Sequence, residues 1–241
     1  MHGFKIAKKS RMSIKESKNR ITLCLLTWNE IEGCKSDIPH VPDIFSRIIS
    51  IDNNSTDGTI EFLQSHGIEV FKQKTPSYNG AYVDAFEYAE NSSIVFFHPK
   101  GSINIESLND VVFELRNGAD FVLASRIAPG AQNEEDSHFL KPRKWFVICI
   151  AIFCKIRWGM NKKFYLDDPL HGFRGLSHNF YSRLGLILPN LTADVEMVRH
   201  AYKNEFNISI IPVLERERLG GVTHFPAWST GLKIMRFVFS R

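Results

Sequence analysis

The chain reads as an α/β protein built on a mostly parallel, twisted sheet with helices on both faces. Two patterns predict this class. Short apolar runs of strand length alternate with stretches whose apolar residues fall at helical spacing. Polar, turn-forming residues follow each run, at the sheet edge where parallel α/β folds bind their ligands. Size agrees: 241 residues with 44% hydrophobic and 23% charged side chains can bury one core, which excludes a disordered tail, a collagen or a disulfide miniprotein. We expect a single domain over 21–241, preceded by a basic leader over 1–20.

That leader holds seven Lys or Arg against one Glu, a balance of +6. The other 221 residues carry 23 basic against 25 acidic side chains, or −2. It has no continuous apolar run of the kind a secretory signal needs. It suits either an anionic membrane surface, at about 1 kcal/mol per cation, or a solvated terminus. No nucleic-acid-binding motif accompanies it.

The first strand run, Ile21 to Leu26, ends on Thr27-Trp28-Asn29-Glu30. The second, Arg47 to Asp52, leads into Asn53-Asn54-Ser55 and a helical stretch over Thr56 to Ser65. Asp52, delivered to a strand end, has acceptor oxygens for a base or ribose, whereas Ser55 and Asp57 read as caps of the helix that follows. Ile68 to Phe71 is the third strand, and Asn79 to Glu90 the next helix. Ser93 to Phe97 ends on His98-Pro99-Lys100-Gly101, Ile105 to Asn117 is helical, and Phe121 to Ser125 ends on Arg126.

Beyond Arg126 the pattern changes. A Pro-, Gly- and acid-rich stretch, Ala128 to Lys141, precedes the nine-residue apolar run Trp145 to Phe153. A bilayer span needs about 20 residues, so this run is too short to cross. Lys141, Arg143 and Lys144 precede it, Lys155 and Arg157 follow it, and Trp145 and Trp158 mark its ends. That arrangement suits a membrane-interface helix within 141–165 or a buried helix with charged ends. The last residues, around Lys233 to Phe237, read as another amphipathic helix. Cys24, Cys34, Cys149 and Cys154 lack metal-finger or redox-motif spacing and read as reduced thiols.

Several stretches in order resemble family 2 glycosyltransferases of the GT-A fold, within them the dolichol-phosphate mannose synthase group. Thr27 to Glu30 is similar to that family's Thr-Tyr-Asn-Glu, and Ile51 to Thr59 to its Val-Asp-Asp-Gly-Ser-x-Asp-Gly-Thr. Asn79-Gly-Ala-Tyr82, Ala124-Ser-Arg126, Asp168-Pro-Leu-His-Gly-Phe-Arg174, Asp194-Val-Glu-Met197, Ile211-Pro-Val213 and Glu217 to His224 match further motifs. The resemblance covers about Ile21 to His224. It implies a nucleotide-sugar site that includes Thr27, Trp28, Glu30, Asp52, Asn53, Asn79, His98 and His224. It also implies an acceptor site bordered by Asp168, Asp194 and Glu196.

One departure stands out. Where the family places Asp-x-Asp to hold a divalent metal on the donor diphosphate, this chain has His98-Pro99-Lys100. A hard divalent ion prefers carboxylate oxygens, and a protonated Lys cannot be a ligand. The usual metal site therefore reads as lost, with Mg or Mn left open. Lys100 either offsets the diphosphate charge itself or marks a site that binds without turnover. Arg126, Arg174 and Arg218 are the other candidate catalytic cations, Arg126 and Arg174 alternatively ion-pair partners and Arg218 alternatively a surface residue of a Gly-rich loop, and Asp168 is expected to pair with Arg174.

The resulting expectation is an inverting, metal-independent transfer from a nucleotide-sugar to a polyprenyl phosphate at the cytoplasmic face of a membrane. A phosphate nucleophile is already anionic and needs no general base. A hydroxyl acceptor would need one, with Asp194 and Glu196 as candidates. The alternatives are transfer to a glycan hydroxyl and non-catalytic binding of a nucleotide-sugar or lipid phosphate. The sequence leaves the sugar, the nucleotide and the oligomeric state open.

Overall fold

In the computed structural model, residues 20–220 and 227–240 are described. Seven strands, β1 (Ile21–Thr27), β2 (Arg47–Asp52), β3 (Glu69–Lys72), β4 (Ser93–Phe97), β5 (Phe121–Ser125), β6 (Arg174–Leu176) and β7 (Ile208–Pro212), form one sheet in the order β3-β2-β1-β4-β6-β5-β7. Every pairing is parallel except those of β6, which runs antiparallel between β4 and β5. The carboxyl ends of β1, β2, β4 and β5 therefore share one edge with the start of β6. The loop that precedes β6 is delivered to that edge too.

The helices are α1 (Ile31–Asp37), α2 (Thr59–Ser65), α3 (Tyr78–Tyr88), α4 (Ser107–Arg116), α5 (Pro142–Trp158), α6 (His178–Tyr181), α7 (Ala193–Lys203) and α8 (Ala227–Ser240). Side chains alternate between the two faces of the sheet. Leu23, Leu25, Val95, Phe97 and Val122 thus enter one apolar layer, while Cys24, Leu26, Phe96, Phe121 and Leu123 enter the other. Burial on both faces explains why these strands read as continuous apolar runs. Each such side chain contributes about 1.5–3 kcal/mol when fully buried.

The expected strands all form, β3 one residue later than its apolar run. The helix expected from Thr56 begins at Thr59, because Gly58 adopts φ +95°, a left-handed conformation that interrupts the turn before it. Asp57 does satisfy a free amide at the start of α2, that of Thr59, as expected, whereas Ser55 does not cap the helix. Gly58 takes the cap position, Asp57 also reaches across to the first amide of α1, and Ser55 faces Asn29. The apolar run from Trp145 extends into the 17-residue α5, with Pro142 in its first turn, where a missing N–H costs nothing. Among the described residues no helix is long and apolar enough to cross a membrane. All four cysteines are free, and only Cys149 is exposed.

Candidate active site

The loops after β1 and β2 are laced into one unit. Asp52 is buried, and its carboxylate accepts from Thr27 Oγ1 (2.7 Å), from Ser55 Oγ (2.7 Å) and from the Ser55 amide (2.7 Å). Asn29 donates its amide to Ser55 Oγ and accepts from the Thr56 amide, while the Glu30 amide donates to Thr59 Oγ1. Asp57 accepts from the amides of Thr59 and Ile31, both at 3.0 Å. Asn29 and Asn54 accept positive φ (55° and 58°), which Asn tolerates better than most residues. The carboxyl group of Asp52 thus helps set the shape of the loop. Trp28 is 40% exposed at the mouth, and Asn53 is half-buried with its amide on Thr27 O.

The turn after β4 lies beside this unit. Gly33 of α1 has no room for a side chain, since a Cβ there would lie 2.1 Å from Pro99 O. Asp37 Oδ2 accepts from the Gly101 amide at 2.8 Å. From the other side the Leu219 amide donates to Lys100 O and the Arg216 amide to Ser102 O. Lys100 is thereby aimed into a cavity of about 280 Å3, which His98, Arg126, His171, Asp194 and Glu215 also line. Its ammonium has no hydrogen bond or ion pair among the described residues. Burial lowers its pKa from the ordinary lysine value, and Arg218 and Arg126 push the same way, while Glu30 and Glu215 oppose them. His98 is held neutral, first by burial and then by Lys100.

Arg126 is clamped by carboxylates: Nε and Nη2 donate to the two oxygens of Asp168 at 2.7 and 2.9 Å, and Nη1 donates to Glu215 at 3.2 Å. This corrects the expected pairing of Asp168 with Arg174. Burial alone would raise the pKa of Asp168, but the charge and hydrogen bonds of Arg126 bring it down to about 2. Arg174 is fully buried at the start of β6, beneath the wall of the cavity rather than on it. It donates to the carbonyls of His171 (2.6 Å), Asp194 (2.6 Å) and Pro169 (2.8 Å), so it organises the loop that closes the cavity.

Asp194 reaches the cavity, with its carboxylate accepting from Tyr78 and Tyr82 hydroxyls at 3.1 and 3.3 Å, and burial raises its pKa. Glu196 does not. It is buried against Asn79, Thr192 and the Ile187 amide, and Asn79 in turn holds the Ala193 amide. That pair, itself outside the cavity lining, fixes the segment before α7, whose Leu191 and Thr192 form part of the cavity wall. Arg218 does not line the cavity either; it donates to both oxygens of Glu30 at 2.8 and 2.6 Å. His224 and the basic leader over 1–19 lie outside the described residues.

Two cavity residues are not singled out by the sequence. His171 places Nδ1 2.6 Å from Ala124 O, which makes Nδ1 the donor and leaves Nε2 an acceptor. Burial is the main reason its pKa falls to about 3, so it stays neutral. Glu215 is the second. Its signal in sequence is slight, an acid three residues before Arg218 in a stretch whose Arg and Gly residues dominate the pattern.

A twisted α/β sheet whose two leading strand–helix loops are laced together beside a cation-lined cavity at the carboxyl ends of the strands has the architecture of the GT-A fold. The glycosyl transferase family 2 pattern matches residues 26–175, more than half of the chain, and the protein belongs to that family. Over 106 residues, 44% of this chain, it is 30% identical to uncharacterized glycosyltransferases of Mycobacterium tuberculosis and Mycobacterium bovis. That match spans about half (48%) of their length.

Among solved structures, glucosyl-3-phosphoglycerate synthase from Mycobacterium tuberculosis shares the fold. Its complex with Mn2+, UDP-glucose and phosphoglyceric acid aligns with a TM-score of 0.69 at 15% identity, covering 94% of this chain and 80% of that one. Its complex with Mn2+, UDP and glucosyl-3-phosphoglycerate gives 0.67, covering 94% and 81%. At that identity the likeness establishes the fold and leaves the ligands with the neighbour. The residues present here do not fit such an ion at the end of β4. His98 and Lys100 stand there, and the nearby carboxylates are engaged by Arg218 and Arg126. No group of metal-ligating side chains gathers among the described residues.

Proposed function

We propose that this protein is a glycosyltransferase that moves a sugar from a nucleotide-sugar to a polyprenyl phosphate at the cytoplasmic face of a membrane, with Lys100 in place of a divalent ion. One observation supports the reading: a helix that lines the cavity also carries exposed apolar side chains on its outer side. Thr230 and Ile234 of α8 line the cavity, while Leu232 and Phe239 of the same helix are exposed. The Phe239 ring meets Phe153 of α5 at 5.0 Å, and α5 adds exposed Trp145, Ile152 and Ile156. An apolar face of this kind on two adjoining helices suits the interfacial layer of a bilayer, from which a lipid phosphate enters the cavity head first.

The chemistry then needs little proton handling. The acceptor phosphate is an anion at neutral pH and attacks the anomeric carbon directly, displacing the nucleoside diphosphate with inversion. Lys100, a desolvated cation with an unfilled hydrogen-bonding shell, stabilises charge on the departing diphosphate. Arg218 lies near enough to act on the charge of Lys100, and Arg126 and Arg174 hold the acceptor loop in place.

The test is transfer of label from a panel of nucleotide-sugars to polyprenyl phosphate in membranes, with excess chelator present and Lys100→Ala alongside. The expected result is lipid-linked product that survives chelation and falls with the substitution. Loss of turnover on chelation would overturn the metal-independent part, and donor binding with no product from any donor would overturn the acceptor. A second reading, transfer to a glycan hydroxyl, is favoured by His171 Nε2 and Asp194, two acceptors that suit a hydroxyl donor. It predicts labelled product without lipid.

A further inference from the structure

The Glu30–Arg218 pair joins two parts of the site that are 188 residues apart in sequence. Glu30 directly precedes α1 within the laced nucleotide loops and is 6% exposed. Arg218 belongs to the segment that lies over the turn after β4, where its Nε is fixed on Gly220 O at 2.6 Å. The segment is fastened on both sides of Arg218 by the backbone bonds from Arg216 and Leu219. Arg218 therefore stands near enough to the cavity residue Lys100 to act on its charge, with its Nη2 given to both carboxylate oxygens of Glu30.

A carboxylate presenting two oxygens to a guanidinium is the nearest protein counterpart of a phosphate group. Lys100, in the field of both partners, has no such counterpart. We propose that Glu30 is a positioning residue that holds Arg218 in the place of the donor diphosphate, so that nucleotide binding proceeds by exchange of Glu30 for phosphate on Arg218. The inference rests on reading the region around Lys100 and Arg218 as the donor site. It gives Glu30 a task other than touching the nucleotide. The Arg218 side chain is held aimed before the ligand arrives, at the expense of some affinity for the ligand.

The experiment is calorimetric titration of UDP and of GDP into the full chain as wild type, Glu30→Gln, Arg218→Gln and the double variant, with thermal melts to confirm folding. For whichever nucleotide binds, Glu30→Gln tightens binding by about tenfold and Arg218→Gln weakens it. In the Arg218→Gln background the Glu30 change has less than about a twofold effect, because the exchange partner is gone. Glu30→Asp, which withdraws the carboxylate by one methylene, shifts affinity the same way to a smaller extent and serves if Glu30→Gln does not fold. Weaker binding on removing Glu30 would mean that it contacts the nucleotide. Equal tightening with and without Arg218 would mean a general field effect. Either result overturns the exchange, as does the absence of binding of both nucleotides to every variant. UDP or GDP binding without lipid-linked product would instead sink the acceptor assignment and leave the exchange standing.

Discussion

The loops after β1 and β2 and the turn after β4 lie side by side at one edge of the sheet, yet they use polar side chains in opposite ways. In the first region Asp52, Ser55, Asp57 and Asn29 bond one another and the neighbouring backbone. In the second, the backbone is fastened from three sides while the Lys100 ammonium, among the described residues, is left without a partner. A satisfied network specifies shape, and an unsatisfied cation held on a fixed backbone is ready for a ligand. The contrast separates residues that build the site from those that act in it, although both kinds follow strand ends and are equally polar.

The largest expected effect is on the acting side. Lys100→Ala should lower turnover by about 10²–10³-fold, the range for removing one preorganised donor from a developing anion, with the melting temperature little changed. A matching fall in stability would show that Lys100 builds rather than acts. Asp52→Ala should do the reverse. With three hydrogen bonds lost, unfolding in urea should show a deficit of about 3 kcal/mol, and donor affinity should fall through loop disorder. Gly33→Ala tests the fastening between the regions. Its Cβ cannot coexist with Pro99 O in the present backbone, so a cost of about 2 kcal/mol is expected from overpacking, along with impaired donor binding.

The smallest effect concerns Asp37, whose carboxyl holds the Gly101 amide. Burial raises its pKa to about 6 from an unfolded value near 3.8. Between those values the native state binds more protons than the unfolded one, so this group makes stability fall as pH rises from about 4 to about 6. Asp37→Asn, which keeps an acceptor for Gly101, should flatten that decline and add about 1 kcal/mol at pH 7, where solvent reduces the full linkage value. Unchanged pH dependence in chemical denaturation would remove Asp37 as its source.

Much of this contrast is legible in the amino-acid sequence. The apolar runs set the strands because burial on both faces leaves few polar positions, and the strand-end rule points to Lys100, Arg126 and the Asp52 turn. Sequence does not say which oxygen a donor reaches. Asp168 sits six residues before Arg174 and looks like its partner, yet β6 turns the Arg174 side chain beneath the loop and Asp168 meets Arg126 from 42 positions away. His171 and Glu215 stay hidden for a similar reason. Their importance comes from a cavity wall assembled by β5, the loop before β6 and the segment after β7. Asn79 and Glu196 have polar side chains near motifs, but their mutual hydrogen bond makes them loop anchors.

The reversed direction of β6 has one more consequence. The chain leaves the sheet at Arg126 and re-enters it at Arg174, both at the same edge. The Asp168 carboxylate, bonded to the amide, Nε and Nη2 of Arg126, ties the two stems together. Everything between those stems, α5 and its apolar face included, is a cassette inserted at one point of the sheet and closed by one buried ion pair. Within it Ile150, Cys154 and Leu166 belong to the main core and hold the segment in place, while its outer apolar side chains are free to vary. Acceptor preference would then diversify by change of those outer side chains while the donor half of the sheet keeps its form.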